Sequence, residues 1–210
     1  MIASRLHRRT LLTVAVTVLP LLAGVASAQA DARQVADAGQ FVARMAQTAI
    51  DDLATADVPD PQRQQRFREL FEEAFDVPLI ARFVLGRYWR QASDGEKREY
   101  LKLFDELVVQ TYSRRFTEFN GARFRVLSVS KPNEDNDVIV GVEGTLVGKP
   151  PIRLDVRVRQ AGNVNKIIDV AVEGVSMLIT QRDEFASVIQ RGGGRVDALL
   201  ANLREKVGTR

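Results

Sequence analysis

Ile152-Arg153-Leu154-Asp155-Val156-Arg157-Val158-Arg159 alternates aliphatic and charged side chains without a break. A two-residue period sets Ile152, Leu154, Val156 and Val158 on one side of a strand and the charged residues on the other. The sheet this strand belongs to therefore buries one face and turns the other to water. Outward in both directions the same signal recurs at residues 123–130, 137–147 and 166–173. The connectors Lys131-Pro132-Asn133-Glu134-Asp135-Asn136, Gly148-Lys149-Pro150-Pro151 and Ala161-Gly162-Asn163 are short and polar. Four strands joined in this way predict an antiparallel meander.

Further out the period changes from about two to about 3.6 on both flanks. Val35, Ala38, Val42, Met45, Ala49 and Leu53 form one apolar stripe, predicting a helix from Asp31 to about Ala56. A second helix is expected from about Pro61, carrying Phe67, Leu70, Phe71 and Phe75, and a third after Asp76 as N-cap, ending near Gly86. Ser93-Asp94-Gly95-Glu96 is a capping box that opens a long helix reaching about Phe119, before Asn120-Gly121. Beyond Gly174, Val175, Met177, Leu178, Phe185, Val188 and Ile189 restore the helical period. Gly192-Gly193-Gly194 then leads to a last amphipathic helix with Val196, Leu199, Leu200 and Leu203. Helices before and after a run of strands give an α+β fold, with a four-stranded twisted antiparallel sheet packed against N-terminal and C-terminal helices.

Arg5, His7, Arg8 and Arg9 precede an apolar run from Leu11 to Val25 and the small-residue pattern Ala26-Ser27-Ala28. That is the layout of an export signal, too short to span a bilayer comfortably, so residues 1–28 are expected to be removed and the chain to work in the periplasm. Arg8-Arg9 leaves both the general and the twin-arginine export routes open. Without Arg5, Arg8 and Arg9 the remaining chain holds 27 basic and 27 acidic side chains. The sequence pI of about 9.4 comes largely from the leader, and a balanced surface argues against a nucleic-acid partner. Cysteine is absent, which excludes a disulfide framework and a lipid-modified N-terminal cysteine; the one histidine, His7, lies in the leader. The commonest general base, metal ligand and thiol nucleophile are thereby missing from residues 29–210, and neither an enzyme nor a cofactor is expected. Residues 29–210 fit one domain.

Phe83-Val84-Leu85-Gly86-Arg87-Tyr88-Trp89-Arg90, Tyr112, Ile168-Asp169-Val170, Glu173-Gly174-Val175-Ser176 and Arg182-Asp183-Glu184-Phe185 occur in this order. The set resembles the MlaC or toluene-tolerance family of periplasmic phospholipid-binding proteins, and the likeness runs over nearly all of residues 29–210. It implies a monomeric carrier that moves phospholipid between an outer-membrane lipoprotein/porin complex and an inner-membrane ABC transporter with an MCE-domain component, maintaining outer-membrane lipid asymmetry. It implies no catalysis. A hopanoid-associated branch of the same family leaves the identity of the lipid open. Where family members commonly carry an aromatic residue ahead of the Ile168 strand, this chain has Asn165-Lys166.

A lipid carrier must hide hydrocarbon, because exposing a chain of about sixteen carbons costs on the order of 12 kcal/mol. Given the resemblance, the expected cavity walls are Val138, Val140, Val142, Leu154, Val156, Val158, Val170 and Val172 on the sheet. They are expected to face Ile80, Phe83, Val84, Phe104, Leu107, Val108 and Tyr112, with Val175 and Leu178 closing one end. Read from the residues alone, the same positions describe an ordinary filled core. Tyr88 and Trp89 are candidates for the cavity mouth, and Arg90 and Arg182 for the lipid head group, since a guanidinium matches a phosphate with two parallel bonds.

The remaining signals are weaker. Gly192-Gly193-Gly194 lacks the Lys-Ser/Thr ending of a phosphate loop and reads as a flexible connector. Asp169 and Glu173 are about 13 Å apart by strand rise, too far for a retaining carboxylate pair. Ser176 has no histidine to activate it. Two rivals stay open: an adaptor with a filled core, and an enzyme acting on lipids or hopanoids.

Overall fold

The computed structural model describes residues 19–54, 58–162 and 164–208, with side chains from Gln29 onward. The proposed leader lies mostly outside the described residues; its last part, from Leu19, continues into the first helix. Among the described residues six α-helices flank one sheet: α1 (Leu19–Leu53), α2 (Asp60–Ala74), α3 (Val77–Leu85), α4 (Asp94–Ser113), α5 (Met177–Arg191) and α6 (Val196–Gly208). Tight 3₁₀ turns follow α3 at Gly86–Arg90 and α4 at Arg114–Phe119. Among the described residues no helix is long and apolar enough to cross a membrane.

The strands β1 (Arg123–Val129), β2 (Asp137–Thr145), β3 (Ile152–Ala161), β4 (Val164–Val172) and β5 (Val175–Ser176) pair in sequence order, antiparallel throughout. The meander is as expected, but the sheet has five strands and not four. The fifth arises because Glu173 and Gly174 both adopt positive φ, 50° and 80°, which makes the two-residue turn that reverses a twisted strand. Val175 then pairs with Val172 before α5 begins, so the helical period resumes two residues later than the sequence suggests. Helix α4 is also shorter than expected: the chain tightens into the 3₁₀ turn at Arg114, where the Thr117 hydroxyl donates to the Arg114 carbonyl.

The glycine run connects α5 to α6 through a hydrogen-bonded turn. Gly193 and Gly194 sit at φ 76° and 80°, and a Cβ on Gly192 would stand 2.2 Å from the Ala198 Cβ of α6. The capping box forms as read: the Glu96 amide donates to Ser93 Oγ and the Ser93 amide to the Glu96 carboxylate.

The interior divides into three apolar clusters. In the first, Ala38, Phe41 and Val42 of α1 and Ala74 of α2 pack on the aliphatic face of the sheet. In the second, α3 to α6 surround Tyr100, Phe104, Phe185, Ile189 and Leu203. The third joins Leu53 of α1 to Phe67, Phe71 and Val109. Phe75, in the link between α2 and α3, packs against all three.

Candidate functional site

The expected cavity wall is divided between two of these clusters. Val138, Val140, Val142, Val156 and Val158 are buried, and Leu154 and Val170 partly so, all in the sheet cluster against α1. Ile80, Val84, Tyr88, Phe104 and Leu107 are buried in the helical cluster, with Val108, Trp89 and Leu178 packed on it. Tyr112 belongs to the third cluster, beside Phe67 and Phe71. Val172 is half-buried at the end of β4, and Val175 is exposed on β5. The two halves of the wall therefore do not look at each other across open space; they meet at a seam whose common member is Phe75. Two shallow depressions of about 230 and 240 Å³ lie at the surface, and neither separates the sheet from the helices.

Phe75 was legible only as a helix residue. Its place at the seam is set by the next residue in the chain: Asp76 caps α3 by accepting from the Leu79 amide, and its own amide donates to the Ile167 carbonyl. Phe75 and Ile167 thus form a single parallel bridge on the edge of β4. Lys166, next to Asn165 where the resemblance implies an aromatic residue, donates to carbonyls in the last turn of α2 at Glu72 and Glu73. The neighbouring Asn165 Oδ1 is buried with no partner among the described residues. A bulge at Arg157/Val158 lets β4 bury consecutive residues, Ile167 and Ile168, where α3 and α5 pack against it.

The rim carries the charge. Arg182 of α5 lies over the ring of Phe83, 4.8 Å from its centroid, and Phe83 is exposed rather than part of a wall. Arg87 lies 4.9 Å from the centroid of the Tyr88 ring and donates to the Tyr88 hydroxyl at 2.8 Å. These two guanidiniums line the 230 Å³ depression with Val84, Leu85, Gly86, Tyr88, Ala186 and Gln190. Arg90, the other head-group candidate, is exposed and is not among those lining residues. Trp89 does not stand at this depression; it packs edge-on against Tyr100, under the Lys97 ammonium.

Several of the polar groups singled out in the sequence have structural partners. Asp169 accepts from Ser176 Oγ at 2.7 Å and from the Leu178 amide, and Ser176 Oγ accepts from the Ile179 amide, so the pair caps α5. Glu173 accepts from the Arg153 amide. Burial pushes the Tyr100 phenol well above its ordinary range, and its hydroxyl donates to the Ala81 carbonyl at 2.8 Å. Among the described residues no group of three or more carboxylates is placed to hold a metal ion.

Fold and rim together define an α+β domain with a large apolar interior, a closed seam between sheet and helices, and a cationic edge. A family model described as MlaC protein matches residues 43–205, and the chain belongs to that family. Among solved structures it is similar to the phospholipid-binding protein of Ralstonia solanacearum in complex with a phospholipid. The match has 22% identity and a TM-score of 0.73, and covers 82% of this chain and 97% of that one.

Proposed function

We propose that this protein is a phospholipid carrier whose acyl tails enter the seam between the sheet and the helical layer. The observation that carries the reading is family membership joined to a like-folded protein solved with phospholipid bound. Among the described residues the sheet and helical clusters are packed, and the two depressions described above are smaller than the roughly 300–1,000 Å³ of ordinary ligand pockets. Tails are therefore accommodated by parting two bodies that each keep a core of their own: α1 with the sheet, and α3 to α6 around Tyr100 and Phe185. Contacts between valine and phenylalanine side chains are exchanged for contacts with methylenes, which are similar in strength, so loading and release both stay near balance. Closing after release keeps apolar walls out of water.

In this reading residues 1–28 direct export and are removed near Ala28, and the domain works in the periplasm as a monomer. It receives lipid at one membrane and delivers it at the other, between an outer-membrane lipoprotein/porin complex and an inner-membrane MCE-domain/ABC transporter complex, and so supports outer-membrane lipid asymmetry. No step requires catalysis. The test is solvent extraction of the freshly purified protein followed by mass spectrometry. Stoichiometric phospholipid is expected. A protein that leaves cells empty and takes up no lipid from phosphatidylethanolamine vesicles refutes the carrier reading; retained binding to membrane complexes would then identify an adaptor with a filled core.

A further inference from the structure

We infer that Arg87 and Arg182 form a clamp for a phosphate ester at the surface depression between the end of α3 and the outer side of α5. The inference deepens the carrier reading and rests on it for the source of the phosphate.

Three features build the clamp. Neither guanidinium has a carboxylate partner among the described residues, whereas Arg63, Arg68, Arg125, Arg159 and Arg204 do. The stretch from Val77 to Ser93 contains Arg82, Arg87 and Arg90 and no acidic residue, so this segment is net positive within a chain whose residues 29–210 balance as a whole. Of the acids beside Arg182 on α5, Glu184 is engaged by Lys206 and Gln181, and Asp183 does not line the depression.

Both side chains are also held in place before any ligand arrives. Arg182 rests on Phe83 and crosses the backbone at Gly86, where a Cβ would stand 3.1 Å from its Nε and 3.4 Å from Cζ and Nη2. Gly86 has φ 60° and ψ −132°, a conformation open to glycine and strained for other residues, so the turn itself makes room for the guanidinium. Arg87 is fixed by the ring and hydroxyl of Tyr88. Holding a guanidinium on an aromatic face leaves N–H groups of its planar fork free, which suits the tetrahedral oxygens of a phosphate.

Finally, carbon and polar atoms share the floor of the depression. Val84, Leu85 and Tyr88 belong to the helical core, and Ala186 packs on it. A phosphate seated between the two arginines would stand over Val84, Leu85 and Tyr88, side chains that are themselves almost wholly covered, so the site holds the phosphate and not the hydrocarbon. The carrier reading, and not the depression itself, makes the phosphate that of a lipid diester.

The experiment measures uptake from vesicles of phosphatidylglycerol and of diacylglycerol with the same chains, alongside ³¹P NMR titration with inorganic phosphate. It uses the full exported protein and its Arg87→Gln, Arg182→Gln and Arg157→Gln variants. Arg157 lies exposed on the charged side of the sheet, away from the depression. Each clamp substitution should lower the preference for the phosphate-bearing lipid about tenfold, equivalent to about 1.4 kcal/mol, with diacylglycerol uptake unchanged. Arg157→Gln should leave the preference as it is. If wild type takes up phosphatidylglycerol and the clamp variants keep its preference, the clamp is overturned and the carrier reading stands. If wild type takes up neither lipid but broadens the phosphate signal, with the effect lost in both variants, the site is confirmed for free phosphate and the carrier reading fails. No broadening and no lipid uptake overturns both.

Discussion

Single residues show how little of the buried polarity here is available for chemistry. Tyr100 is a neutral phenol held by burial and by the Ala81 carbonyl. Below its ordinary pKa of 10.0 it is protonated in the folded and unfolded chain alike. Above that value the unfolded chain releases the proton while the folded one keeps it, so stability falls as the pH rises. Tyr100→Phe should lower stability by about 1 kcal/mol at neutral pH through the lost bond, and should flatten the decline above pH 10; urea melts at pH 7, 10 and 11 measure both. Asp137 is the second case. Its side chain is 2% exposed and receives Nε and Nη2 of Arg159 at 2.6 and 2.9 Å. Asp137→Ala leaves a half-buried guanidinium without its partner and should cost about 2 kcal/mol, whereas Arg153→Ala, at a far more exposed pair, should change stability little.

Among the elements, the long helix α4 and the strands were legible because a strict period ran through each. The capping box at Ser93 and Glu96 was legible too, because its bonds join residues three apart. Ser93→Ala should cost about 1 kcal/mol, read as a lower thermal midpoint with unchanged helix content below it. Strand β5 was hidden: two residues are too short to show a period, and the positive φ of Glu173 at its turn is not a property glutamate announces. The close approach at Gly192 was hidden as well, because the Cβ of Ala198 enters from another helix. Gly192→Ala should force α5 and α6 apart and cost roughly 1–3 kcal/mol, more than the same change at exposed Gly148 would through its backbone angle alone.

At the scale of the whole molecule the sheet cluster and the helical cluster meet at Phe75, beside a third cluster that joins α1 to α2 and α4, and the proposed function turns on whether the first two part. Because the chain has no cysteine of its own, a pair of introduced thiols can hold either contact selectively. Phe75→Cys with Ile167→Cys joins the two residues of the parallel bridge; oxidation should stop uptake of lipid from vesicles, and reduction should restore it. The Gly39→Cys with Val129→Cys pair instead pins α1 to β1, where a Cβ on Gly39 already lies 3.1 Å from Val129 Cγ2. Uptake should be the same in its oxidised and reduced forms. Blocked uptake in this second pair, with none in the first, would mean that α1 lifts and that the seam at Phe75 stays shut.

From its sequence alone this protein had its layers determined: helices, then an antiparallel meander with one greasy and one charged face, then helices. It had its family resemblance as well, since period and motif order are local properties carried along the chain. Which apolar face meets which was decided only in three dimensions. The aliphatic side of the sheet went to α1, and α3 to α6 built a core of their own that meets the sheet along β4. Arg87, which no spacing distinguished from Arg90, reached the depression beside Arg182. Hydrophobic contact is non-directional, so a pattern of burial names the residues that leave water without naming their partners, and the partners are what make a wall, a seam or a rim.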